Sequence, residues 1–298
     1  MDMSSTERTA RASGYLFTET EHNDTYTAID PTKVNMNGKR ILETGSSRGL
    51  GREMALSFAK AGVTGIALLD MLDVAPVAKE VIETAEATGH PKPEVIQLST
   101  DITQIRDVQK AADLVRSNWD NIDILINNAG YLAPYEPLSD SDPELWWRNF
   151  EVNVKGVYLM TRTFLPLLLQ STEKTMIVLS SVGAHHTLPG GSGHETTKLA
   201  VLKLNSYLMA EYGSKGLLAY AVAPGGVKTD MVGGFLQEFH HLLSDTPQMV
   251  ADTIVFLTQE RREWLAARYV DSRWDMPELL AKKDEIVERD LLKMCLRV

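Results

Sequence analysis

The chain has 298 residues, 44% of them apolar and 23% charged, a balance that excludes general disorder and a disulfide scaffold. Lys and Arg number 30 against 40 Asp and Glu, a formal net charge of −10. With no basic run, such a chain repels phosphate backbones, and no nucleic acid partner is expected. The one cysteine, Cys295, cannot form an internal disulfide and fits a reducing compartment. No apolar run approaches the ~20 residues that cross a bilayer. The opening MDMSSTERTARASG lacks the apolar core of a secretory signal. The expectation is a cytoplasmic protein with no membrane partner.

Residues 1–37 are polar, with scattered aromatics at Tyr15, Phe17 and Tyr26 and no sustained period. They read as an extension, partly disordered or laid along the surface; an ordered arm packed on a neighbouring subunit is the alternative. From Gly38 short apolar runs alternate with longer segments of helical period. Strands are expected at Arg40–Glu43, Gly65–Leu69, Glu94–Leu98, Ile122–Ile126, Met176–Leu179 and Leu217–Val222. Helices are expected at 50–61, 74–88, 104–118, 143–170 and 194–213. That alternation predicts βαβ units on a doubly wound parallel sheet, three α/β/α layers in a single domain over 38–298. After Pro224 comes a variable stretch with His240 and His241, read as exposed or rim residues, and then Thr246–Leu257, which has helical period. Segment 276–292 reads as an amphipathic helix packed on the sheet, its balanced charges arguing against a membrane surface.

The first strand runs into Thr44-Gly45-Ser46-Ser47-Arg48-Gly49-Leu50-Gly51 at the start of a helix. Glycines there let the backbone turn tightly and approach a pyrophosphate, which the helix N-terminus then attracts. Asp70 ends the second strand, where a carboxylate accepts hydrogen bonds from ribose hydroxyls and repels a 2′-phosphate. Arg48 pulls the other way. NAD is the cofactor expected, with NADP as the alternative. Asp101-Ile102, Asn127-Asn128-Ala129-Gly130 and Pro224-Gly225-Gly226-Val227-Lys228-Thr229 follow later strands, at the sheet end where open α/β sheets bind ligands.

The combination TGxxxGxG, NNAG and PG-x-V-x-T resembles the short-chain dehydrogenase/reductase family over about residues 38–257. The resemblance implies a Rossmann-like fold in which Gly45, Ser47, Gly49, Leu50 and Gly51 line the pyrophosphate. Asp101 and Ile102 would flank adenine, and Asn128, Ala129 and Gly130 would back the adenosine ribose. The loop from Pro224 and Gly225 would bring Val227 and Thr229 to the nicotinamide. A homodimer or homotetramer is implied as well, through the helices at 143–170 and 194–213. The C-terminal segment resembles that of fungal members, often found in natural-product pathways.

The same resemblance implies a catalytic set of Asn, Ser, Tyr and Lys. Asn153 fits the Asn position, Ser181 the Ser position and Lys198 the Lys position. The tyrosine, four residues before Lys198, is replaced by His194. Imidazole Nε2 reaches roughly 2 Å less far from its Cα than a phenolic oxygen. Lys198 disfavours the imidazolium, so His194 is expected to be neutral, a base rather than a donor of a whole proton. Alcohol oxidation, enolisation or isomerisation suits it better than ketone reduction. The bland alternative is a drifted residue in a site that no longer performs redox chemistry. Glu43 sits where a buried strand carries an apolar residue, and a structural pairing is expected for it. His185 and His186 border the substrate, but their spacing with His194 matches no common zinc pattern, and no metal is expected.

Two functions stay open at this point. One is an NAD(P)-dependent oxidoreductase acting on a carbonyl or secondary alcohol of a fairly large apolar small molecule. The other is a non-redox isomerase, dehydratase or cyclase that uses His194 and Ser181 and keeps the dinucleotide structurally. A non-catalytic cofactor-sensing protein ranks behind both.

Overall fold

In the computed structural model, which describes Gly14, residues 16–231 and residues 243–296, each short apolar run has become a strand, buried except at the sheet edge formed by Glu94–Ser99. The strands are β1 (Arg40–Thr44), β2 (Gly65–Asp70), β3 (Glu94–Ser99), β4 (Ile124–Asn127), β5 (Thr175–Leu179), β6 (Leu218–Ala223) and β7 (Tyr269–Asp271). They form one sheet in the order β3-β2-β1-β4-β5-β6-β7, every adjacent pair parallel. The order reverses between β1 and β4, which opens a crevice at their carboxyl ends.

Alternation along each strand feeds two apolar layers. In β1, Ile41 enters one layer and Leu42 the other. The first layer holds α1 (Gly49–Lys60), α2 (Ala75–Ala87) and α7 (Pro247–Thr258) against the sheet through residues such as Phe58, Val81 and Ile254. The opposite layer packs α3 (Ile105–Asn118), α5 (Val157–Leu168) and α6 (Ser192–Tyr212) through Val108, Phe164 and Val201. A Pro at the first turn and a capping side chain start α7, where Thr246 accepts from the Met249 N–H.

The helix expected over 143–170 is divided. Asp142 caps α4 (Pro143–Phe150), and a π-helical turn over Glu151–Gly156 separates it from α5. That wider turn carries Asn153, which is buried. Strand β7 was not expected, since three residues ending in Asp271 present no apolar run. The C-terminal segment is not one amphipathic helix but two short ones, α8 (Met276–Ala281) and α9 (Lys283–Glu288), which bury Met276, Leu279 and Ile286.

The polar extension also needs correction. Residues 16–37 are not merely laid along the surface, because Ile29 and Met36 are fully buried in the layer beneath α1 and α7. Phe17 stacks at 4.8 Å on Trp274, whose indole N–H donates to the Gly14 carbonyl at 2.9 Å. The Tyr26 hydroxyl accepts from the Met276 N–H at 2.7 Å, and the Thr25 hydroxyl donates to buried Asp252 at 2.5 Å. The segment thus clasps the C-terminal helices of its own chain.

Candidate active site

The turn after β1 can be built only with glycine at its closest approach. A Cβ on Gly51 would stand 2.0 Å from the Gly45 carbonyl oxygen, and Gly45 itself has φ +75°. The N-terminus of α1 has no side-chain cap from Arg48, which leaves its first N–H groups without that partner. Those donors and the helix dipole fit the pyrophosphate of a dinucleotide. Asp70 faces the same turn, accepting from the Ser47 N–H at 3.0 Å and its hydroxyl at 2.7 Å. Thr229 comes from the other side, within 3.6 Å of a Cβ placed on Gly49. Leu50 lies partly buried against the core beneath the turn.

The remaining expected cofactor residues gather around this crevice, several of them in structural duty. Asn128 donates its amide to the Thr44 carbonyl at 2.8 Å, and its N–H and that of Ala129 both reach the Thr44 hydroxyl at 3.0 Å. Its side chain therefore locks β4 to β1. Asp101 accepts from the Thr103 N–H and hydroxyl, which sets the turn that buries Ile102 against Gly156. Gly130 lies beneath Met231. Arg48 is neither a free side chain nor turned to the β2 end; its guanidinium pairs at 2.8 Å with Asp230, both groups largely exposed.

In the loop after β6, Pro224 precedes Gly225, which has φ +76°. A Cβ there would meet Asp245 Oδ2 at 2.3 Å and Arg273 Cδ at 3.0 Å. Val227 is buried in a bridge with Asp245. Fully buried Asp271 accepts from two guanidinium nitrogens of Arg273, at 3.0 and 2.8 Å. The sequence reading passed over Asp245 and this pair; the glycine at position 225 was the signal for them.

The expected catalytic residues meet on the neighbouring strand end. Ser181 follows β5, and its oxygen accepts from the Gly183 N–H at 3.1 Å, which leaves its own O–H to donate. His194 lies in the first turn of α6, its Nδ1 at 3.2 Å from the Tyr131 carbonyl. A carbonyl only accepts, so the proton sits on Nδ1 and Nε2 keeps its lone pair. Burial and then the Lys198 ammonium lower the pKa of His194 to about 3, against the Tyr131 bond. Lys198, lowered by burial to about 8, donates to the Leu179 carbonyl at 2.8 Å. Asn153 donates to the Tyr131 carbonyl at 2.9 Å and to Thr197 Oγ1 at 3.0 Å, and accepts from the Tyr131 N–H at 2.8 Å. Tyr131, which sequence reasoning missed, thus joins Asn153 to His194 through one backbone carbonyl.

The pairing expected for Glu43 is absent. The residue is fully buried, and among the described residues neither carboxylate oxygen has a hydrogen-bond partner. Burial raises its pKa well above the ordinary value, with Ser46 opposing, so the carboxyl is held in its protonated form. His185 meets Tyr269 edge-on at 4.7 Å, and burial lowers the pKa of both His185 and His186. His240 and His241 lie outside the described residues. Among the described residues no three of His, Cys, Asp and Glu stand together as metal ligands.

A family model described as short chain dehydrogenase matches residues 39–238. The chain is 43% identical to Short chain dehydrogenase mpl6 of Monascus purpureus, over 95% of this chain and 97% of that one. Among solved structures it is similar to a 3-ketoacyl-(acyl-carrier-protein) reductase from Brucella melitensis complexed with NADH. That match has a TM-score of 0.69 and 26% identity, covering 80% of this chain and 97% of that one. A short chain dehydrogenase from Escherichia coli complexed with NADPH matches with a TM-score of 0.68 and 28% identity, covering 80% and 98%.

Proposed function

Because the chain belongs to the short chain dehydrogenase family, we propose that it oxidises a secondary alcohol, or runs the reverse carbonyl reaction, on a fairly large apolar small molecule. NAD is the favoured cofactor, on the strength of Asp70 at the end of β2, and NADP is the alternative. The observation that carries the reading is the glycine turn shaped for a pyrophosphate, in a crevice whose neighbouring strand end presents Ser181, His194 and Lys198. The cleft beside His194 has a mixed lining, with Ala133, Pro134, Leu145 and Trp146 offering an apolar side and Glu136, Ser141, Asp142 and Asn149 a polar one. Similarity to Monascus proteins supports a natural-product pathway. Exposed Trp147, Tyr158, Leu199 and Tyr207 on α4, α5 and α6 support a homodimer or homotetramer.

A bound nicotinamide supplies the hydride acceptor or donor. The protein's residues handle the oxygen and its proton. Ser181 donates to the substrate oxygen, while His194 Nε2 accepts the alcohol O–H and orients it. Lys198, with a pKa of about 8, takes up or releases the proton through water that Asn153 helps to order. Neutral His194 has no proton on Nε2 to give a reduced carbonyl, which favours the oxidative direction.

The same lone pair favours a second reading, a non-redox isomerisation, dehydration or cyclisation with the dinucleotide kept for structure. His194→Tyr separates the two. Under the redox reading the variant changes the rate of nicotinamide reduction and of product formation together. If it raises reduced-nicotinamide turnover on model ketones while abolishing the native reaction, the redox reading fails.

A further inference from the structure

Glu195 follows His194 on α6 and is 7% exposed. Among the described residues no ion pair accompanies it, and hydrogen bonds offset its burial. Its Oε2 accepts from the Leu188 N–H at 3.1 Å, and the Tyr135 phenol hydrogen-bonds to the same carboxylate. The glycines around it are small because it fills their space. A Cβ on Gly191 would stand 2.8 Å from both Glu195 Oε1 and Tyr135 Cε1, and one on Gly183 would stand 2.9 Å from Glu195 Cγ. One side chain therefore touches the turn after Ser181, the loop that runs into α6 and the segment after β4. Tyr135, Gly190, Gly191 and His194 all line the same cleft.

We propose that Glu195 is a positioning residue that clasps these three segments together and so sets the shape of the substrate cleft, governing substrate binding rather than proton or hydride handling. The proposal rests on the reading that this cleft admits the substrate. A carboxylate suits the task because it only accepts, and it gathers the Leu188 N–H on Oε2 and the Tyr135 phenol from different segments while Oε1 stays buried without a partner among the described residues. Glutamine offers one accepting oxygen and nearly the same volume, so it keeps part of the clasp; alanine keeps none.

Hydrogen exchange on the full chain tests the clasp directly. In Glu195→Ala, peptides covering 183–193 and 131–136 should exchange about tenfold faster, the scale of losing a hydrogen bond to a charged group. Glu195→Gln should fall between alanine and wild type, and NADH binding, followed by nicotinamide fluorescence, should be unchanged. With NADH and acetophenone, KM should rise about tenfold in Glu195→Ala while kcat stays within about twofold. Unchanged exchange in both peptides, acceleration spread over the whole protein, or a fall in kcat at constant KM overturns the proposal. If Glu195→Ala does not fold, Glu195→Gln against wild type decides by the same exchange pattern. If wild type reduces no acetophenone, the KM comparison is made with NAD and 1-phenylethanol; turnover of neither sinks the functional reading and leaves the exchange result alone to judge the clasp.

Discussion

Replacing Glu43 by methionine should stabilise the protein, and by an amount that grows with pH. The carboxyl is fully buried and, among the described residues, without a hydrogen-bond partner, and burial lifts its pKa well above the ordinary 4.5. Between 4.5 and that higher folded value, the native chain holds one more proton than the unfolded chain. The contribution of Glu43 is therefore most favourable below the unfolded pKa and is lost as pH rises, at ~1.4 kcal/mol per pH unit while the folded carboxyl stays protonated. Methionine keeps the volume and removes the titration. The difference in unfolding free energy, variant minus wild type, should widen between about pH 5 and about pH 7, at no more than ~1.4 kcal/mol per pH unit. Urea unfolding of both proteins in matched buffers measures it. Asp245, Asp252 and Glu195, which burial also raises, are common to both proteins and cancel. A difference that stays flat across this range would refute the assignment of a buried, protonated carboxyl.

The pH–rate profile for alcohol oxidation should rise through about 8 as Lys198 loses its proton and show no limb at the ordinary histidine value, because burial holds His194 at about 3; a limb near 6.5 would contradict the buried neutral imidazole. Trp274→Ala should cost ~3–5 kcal/mol in urea unfolding, since the ring is fully buried and stacked on Phe17. A loss below ~1 kcal/mol would mean the N-terminal segment holds little. Asp230→Asn should free Arg48 and raise NADPH affinity relative to NADH, by no more than about fivefold because the pair is exposed. Fluorescence titration with each dinucleotide reads the ratio, and an unchanged ratio would show that Asp230 does not restrain Arg48.

Six of the seven strands were legible because each is an apolar run long enough to show, and the glycine turn because no other residue fits where a Cβ would lie 2.0 Å from a carbonyl. What escaped was set by tertiary contact. Strand β7 is three residues long, and its place comes from pairing with β6 rather than from any pattern of its own. Residues 16–37 read as a surface extension because Ile29 and Met36 are isolated among polar neighbours, yet each fills a site in the core. The neutrality of His194 followed from its neighbour Lys198, but its tautomer depends on a backbone carbonyl 63 residues away in sequence. Glu43 defied a sound expectation, since burial without a partner is tolerable only for a carboxyl that keeps its proton.

The clasp between Gly14 and Trp274 joins groups 260 residues apart in the chain. During synthesis the segment at Gly14 must wait for those 260 residues before its partner exists. The Arg273 that walls the loop after β6 is made in the same late stretch. A nascent chain can therefore finish the glycine turn and β1 to β5 long before the loop after β6 has a wall. Assembly of this loop waits on residues translated after the whole of β6.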